Sequence, residues 1–184
     1  MNLPIAVFAL GVLASPVRLG LVDDAGAAPD VTVREERGVY SVAARFHVPD
    51  SPTVARAVLT DYEQIPRFLP DIKTSIVRER ADGRVVVEQE AVSHMMMFSK
   101  RVHLMLEITE EACTIRFRDR GGQSFAQYEG TWRLVARDGG TEIRYALTAR
   151  PSFDVPEFLL KRLLKRDSGQ MMERLAREMA SRSR

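Results

Sequence analysis

The spacing of apolar residues changes period along the chain, and each change marks a different element. From Val31 to Val48 the pattern alternates, with Val42, Ala44 and Phe46 on one face, which predicts one long strand or a hairpin bent at Gly38. Between Ser51 and Asp71 (SPTVARAVLTDYEQIPRFLPD) the spacing becomes three and four, so Val54, Ala55, Val58 and Leu59 share a helical face. Ser51 stands where an N-cap would, and Pro52 falls at the first helical position, where a missing N–H costs nothing. Asp61 is placed to cap a second short helix, whose face is Ile65, Phe68 and Leu69 and which Pro70 ends.

Alternation then returns. Strands are predicted over Ile72–Arg80, Arg84–Val92, Ser99–Thr109, Cys113–Arg120 and Phe125–Arg137, with a last one carrying Ile143, Tyr145, Leu147 and Ala149. Ala81-Asp82-Gly83, Gly121-Gly122 and Asp138-Gly139-Gly140 supply the turns between them. In the strand from Phe125, the inner set reads Ala126, Tyr128, Gly130, Trp132 and Leu134. From Pro156 to about Ala180 the period is helical again, with Leu160, Leu164, Ser168, Met171, Leu175 and Met179 in line, flanked by Leu159, Leu163 and Met172. Gly169 inside that run suggests a kink or a close approach. The fold class is therefore α+β: a curved antiparallel sheet, two short helices after its first strand, and a long C-terminal helix as the one element able to cover its apolar face.

Composition changes this picture little. Hydrophobic residues make up 45% and charged residues 28%, with a formal net charge of +2, which fits one globular domain over 31–184. Cys113 is the single cysteine, and His47, His94 and His103 are scattered, so no metal or cofactor is expected. The apolar run Leu3–Ala14 is too short for the ~20 residues of a membrane-spanning helix. It suits the core of a signal peptide over 1–27, with Ala25-Gly26-Ala27 as a small-residue cleavage site and a periplasmic location as the consequence. A disordered leader, or a misassigned start on a cytoplasmic chain, is the alternative.

Two stretches carry a resemblance. VLTDYEQIPRFLPDI (Val58–Ile72) and YEGTWRL (Tyr128–Leu134) resemble the opening and late-strand motifs of the polyketide cyclase/dehydrase and coenzyme-Q-binding START-domain branch of the START/Bet v 1-like (SRPBCC) superfamily. The likeness runs over about residues 38–180. It implies the helix-grip fold, in which the sheet grips the long helix around a cavity. It also implies one of three functions: binding of a lipid, quinone or polyketide-like molecule, cyclase/dehydrase catalysis, or association with a macromolecule such as the ribosome. Fold analogy alone does not choose among them.

The residues add a candidate site. Met95, Met97 and Phe98 lie between two strands and, with Tyr62, Ile65, Phe68 and Leu69 of the clasp helices, are expected to gate the cavity; flexible, polarisable methionine suits an irregular apolar guest, although such a loop can also simply pack. Tyr128, Trp132 and Tyr145 are expected to line the cavity with apolar bodies and polar tips, and Phe117, Phe125, Phe153 and Phe158 to close the same space. Leu159, Leu163 and Met171 would form the lid. Candidates for chemistry are few. Glu88 and Glu90 read as a carboxylate pair or as a solvated face, and His103 alternates with Arg101 and Glu107, so it is expected to face water. No catalytic residue is nominated. The basic residues of the last helix (Lys161, Arg162, Lys165, Arg166, Arg174, Arg177, Arg182 and Arg184) suit an anionic membrane surface; nucleic acid is disfavoured because stacking aromatics are missing there.

Overall fold

The alternating segments build one antiparallel sheet of eight strands. The computed structural model describes residues 28–95 and 98–183, so the expected leader over 1–27 lies outside the described residues. The elements are β1 (Asp30–Glu36), β2 (Val39–Val48), α1 (Pro52–Leu59), a 3-10 turn (Tyr62–Gln64), α2 (Ile65–Phe68), β3 (Ile72–Ala81), β4 (Arg84–Met95), β5 (Phe98–Glu110), β6 (Thr114–Asp119), β7 (Phe125–Arg137), β8 (Gly140–Pro151) and α3 (Glu157–Arg182). The first alternating stretch is a hairpin: Arg37 and Gly38 both have positive φ, 53° and 77°, the twist that a two-residue loop between antiparallel strands needs.

Strand order is β1-β2-β8-β7-β6-β5-β4-β3. Strands β3 to β8 form a meander, and β8 then pairs with β2. The link from β2 to β3 thus runs from one side of the sheet to its opposite edge, and α1, the 3-10 turn and α2 make that crossing. Ser51 caps α1 as expected, its hydroxyl accepting from Val54 N–H at 3.4 Å. Asp61 does not cap: its carboxylate instead meets Arg182 at the end of α3, at 2.8 Å.

Irregularities bend the sheet where the apolar pattern slips. Register shifts occur in β3 at Ile72/Thr74 and Val77/Glu79, and in β7 at Phe125/Gln127. Each places an extra residue on one strand, which locally bends and twists it. The β7 shift corrects the phase read from sequence. Phe125 is buried and Ala126 exposed, so the inner face of β7 begins at Phe125 and resumes at Tyr128.

Helix α3 lies along β1 and β2 and meets α1 and α2. Met172, Leu175 and Met179 join the main core, while Leu160 and Leu163 pack with Tyr40 of β2. Its far end is pinned to the clasp by Arg182–Asp61 and by the Ser183 hydroxyl on the Asp50 carboxylate. Gly169 makes no close approach: α3 runs unbroken through it, and a Cβ added there would meet open space. A helix seated over one side of a curved sheet cannot fill the concavity above the other strands. That unfilled space is the candidate site.

Candidate ligand-binding cavity

Two chambers open inside the concave face. One, of about 230 Å³, lies between the first half of α3 and the β4, β5, β7 and β8 wall, with Val102, Leu104, Leu147, Ala149, Leu160, Leu163 and Leu164 among its lining. The other, of about 120 Å³, lies under the clasp and is lined by Val58, Leu59, Tyr62, Ile65, Phe68, Phe117, Trp132 and Leu175, among others. Leu69, Ile72, Gln89, Tyr128, Tyr145 and Met171 line both, so these six side chains form a waist between the chambers.

The wall is aromatic from end to end. Phe153 approaches Phe125 at 6.1 Å between ring centroids, Phe125 approaches Tyr128 at 4.9 Å, and Tyr128 approaches Phe117 at 5.9 Å. Phe117 then stacks on Tyr145 at 6.3 Å, and Tyr145 meets Trp132 at 4.3 Å with the rings tilted by 40°. Two sequence features make this row possible. The register shift in β7 turns Phe125 and Tyr128, three residues apart, towards the same side. Gly130, opposite Phe117 on β6, leaves room for that ring: a Cβ there would stand 2.5 Å from Phe117 Cζ and 2.3 Å from the Ala146 carbonyl oxygen.

Polar groups enter this cavity at few places. Gln89 is 8% exposed and donates from Nε2 to Ser75 Oγ across the β3–β4 ladder at 3.0 Å. Tyr128 and Tyr145 both present their phenols at the waist. Burial pushes the Tyr128 phenol up to about 12, offset in part by the neighbouring Tyr145 phenol. Tyr145 is held well above the usual tyrosine range by burial first and then by the neighbouring Tyr128 phenol. Tyr62 sits at the clasp with its hydroxyl donating to Glu110 Oε1 at 2.9 Å; Arg56 holds the other oxygen of that carboxylate at 2.9 Å. Burial first, then the Glu110 charge and hydrogen bond, keep the Tyr62 phenol protonated. The turn carrying Tyr62 is thereby tied to the end of β5.

Charged residues gather at the rim of the larger chamber. Arg174 of α3 pairs with Asp71 at 2.6 Å, and the Ser93 hydroxyl of β4 donates to Asp167 of α3 at 3.2 Å. Lys100 stands over the Phe153 ring at 4.6 Å. Both α3 contacts bridge the helix to the opposite wall.

The structure brings together most of the residues singled out from sequence. Tyr62, Ile65, Phe68, Phe117 and Trp132 line the clasp chamber, Leu163 the larger one, and Leu69, Tyr128, Tyr145 and Met171 the waist. Leu159 is not among the lining residues; Leu160, one position on, takes that place because the helix turns it inward. Phe158 does not close the cavity either, being 75% exposed in the first turn of α3. The side chains of Met95, Met97 and Phe98, and of His94, lie outside the described residues. His103 is not simply solvated: it lies on the outer face of β5, partly buried, with Nε2 2.8 Å from Glu88 Oε1. That hydrogen bond, with Arg78 on the other oxygen, lowers the Glu88 carboxyl below its usual range and places the pair across the sheet from the cavity. Gln89 was missed. Its signal is a polar residue in the inner phase Val85, Val87, Gln89, Ala91, between the glutamates of the outer phase.

Residues 40–180 match the family described as polyketide cyclase/dehydrase and lipid transport. The chain belongs to that family. Within the curated proteins, no match is found. Among solved structures, a STAR-related lipid transfer protein from Xanthomonas axonopodis superposes with a TM-score of 0.70 at 17% identity, covering 84% of this chain and 95% of that one. The protein TTHA0849 from Thermus thermophilus gives 0.68 at 22% identity, over 78% and 99%. The Zhui aromatase/cyclase from Streptomyces sp. R1128 gives 0.68 at 14% identity, over 79% and 96%. These likenesses establish the helix-grip fold of the START/Bet v 1 (SRPBCC) superfamily.

Gly130→Ala tests how this glycine shapes the wall. Overpacking against Phe117 and the Ala146 carbonyl should destabilise the fold by about 1–3 kcal/mol. Denaturant unfolding reads it, and an unchanged midpoint would mean that the strand absorbs the methyl without displacing the ring.

Proposed function

We propose that the protein binds and carries one apolar small molecule, such as a lipid, an isoprenoid quinone or a polyketide-like compound, in the joined chambers. The observation that carries this reading is the lining itself: aliphatic and aromatic side chains with a few polar tips, the usual make-up of a small-ligand site. The phenols at the waist stay protonated at neutral pH, so they serve as hydrogen-bonding groups and are poor proton-transfer catalysts. Relatives in fold are named for both lipid transfer and aromatase/cyclase activity. The second reading is therefore a cyclase-type enzyme in which the same waist orients a reactive chain; saturable turnover that disappears in Tyr128→Phe while binding persists would favour it.

Met171→Trp places a large ring where both chambers meet. The variant should fold, keep its thermal midpoint within a few degrees, and bind an apolar fluorescent dye at least about tenfold more weakly. Equal dye affinity in a folded variant would mean that the chambers are not where apolar molecules go.

The supply of ligand is proposed to come from an anionic bilayer. Ion pairs already occupy Lys161, Arg174, Arg177 and Arg182, which weakens the whole-helix charge argument. What supports the reading is local: Phe158 is exposed in the first turn of α3, with Arg162 and Lys165 exposed on the turns that follow and the larger chamber's Leu160 and Leu163 beside it. Phosphatidylglycerol vesicles should co-float the protein and phosphatidylcholine vesicles should not, with Phe158→Ala reducing the recovered fraction. Equal recovery on both, untouched by the substitution, would remove the membrane from the account.

A further inference from the structure

The mouth of the larger chamber carries a cation without a counter-charge. The charged residues of its lining are Asp71, Lys100, Asp167 and Arg174. Asp71 and Arg174 hold each other at 2.6 Å, and Asp167 has its own guanidinium in Arg166 at 2.7 Å and the Ser93 hydroxyl at 3.2 Å. Among the described residues no carboxylate pairs with Lys100, whose ammonium stands 4.6 Å from the centroid of the Phe153 ring. A ring face attracts the cation but leaves its three N–H donors to be used.

Phase and register fix where that ammonium sits. Lys100 belongs to the inner phase of β5, with Val102 and Leu104 following it into the chamber. It is paired across the ladder with Ser93 of β4, close to the turn that joins the two strands. Phe153, on the segment between β8 and α3, is the end ring of the aromatic row. The stem of Lys100 therefore rests on apolar wall while its head reaches the rim, as long cationic side chains do.

This arrangement selects the end group of a guest. An ammonium is a compact point charge suited to a single carboxylate, whereas phosphate is held best by guanidinium forks, and the one guanidinium in this lining, Arg174, is already engaged by Asp71. A carboxylate at Lys100 stays at the rim, while a chain attached to it follows Val102 and Leu104 inward through the chamber of about 230 Å³ towards the waist. The charge is not carried into the apolar interior, so the pairing forms without the full desolvation cost of a buried ion.

Resting on the carrier reading above, we propose that Lys100 is the end-group subsite of the larger chamber and that the guest is an apolar chain or ring system ending in a carboxylate, with its acid end at the mouth and its apolar body inside.

Three twelve-carbon compounds test this on the full chain: dodecanoate, 1-dodecanol and methyl dodecanoate, each displacing an uncharged apolar dye at about pH 8, where the acid is ionised. Lys100→Met, which keeps the length of the stem and removes the charge, should weaken dodecanoate about three- to tenfold and leave the alcohol and the ester within about twofold. Lys100→Arg should keep most of the acid's affinity. Dodecanoate binding untouched by Lys100→Met, or an equal loss for all three compounds, overturns the subsite but leaves the carrier reading standing. If none of the three displaces the dye, the carrier reading falls with it. Should Lys100→Met fail to fold, the wild-type chain decides alone: added salt should lower the ratio of acid to alcohol affinity by screening the pair, and a ratio indifferent to salt overturns the subsite.

Discussion

A curved sheet with one apolar face has to be covered, and the geometry of this chain prevents the cover from being complete. Helix α3 is long enough to span the concavity, but it packs along β1 and β2. The clasp of α1, the 3-10 turn and α2 closes the other end only because the β2-to-β3 connection must cross to the opposite edge of the sheet. Between these covers, the inner faces of β4 to β8 retain apolar side chains with no protein opposite them. The hydrophobic effect would favour collapse of that space. Collapse is opposed by the aromatic row, whose rings brace one another, and by polar ties that hold α3 at a distance: Arg182 to Asp61, Arg174 to Asp71, and Asp167 to Ser93.

The same constraint explains where polar chemistry sits. Charges that line the larger chamber are at its rim and are paired or set over a ring, as expected where desolvation penalises a bare charge. Inside, the polar groups are neutral: an amide tied to a serine and two phenols whose burial keeps them protonated. Imidazole–carboxylate chemistry is present in the molecule, in His103 and Glu88, but lies on the far face of the sheet. That separation is why a binding reading precedes a catalytic one.

Much of this is legible in the sequence because a period of two or of three to four is a direct consequence of backbone geometry. The strands from Ile72 onwards and the terminal helix follow their apolar spacing closely. The departures have local causes. Strict alternation puts Ala126 inside because it cannot anticipate a bulge, and the bulge is what gathers Phe125 with Tyr128. Spacing favours Leu159 as readily as Leu160 because neighbouring helical positions differ by 100°, and the helix's rotation is fixed by tertiary packing, at this end against Tyr40. Asp61 resembles a cap, but a long-range partner, Arg182, claims it. Gln89 is visible as a polar interruption of an inner phase, yet its meaning depends on two tyrosines from distant strands. Cavities are properties of how elements fail to touch, which local spacing does not encode.

The central claim is that the space α3 leaves uncovered exists to be occupied. Native mass spectrometry of the purified chain, followed by solvent extraction and identification of what is released, measures that directly. A one-to-one adduct of an apolar molecule is expected, as purified or after incubation with a mixture of lipids and quinones. A bare protein mass under both conditions would contradict it.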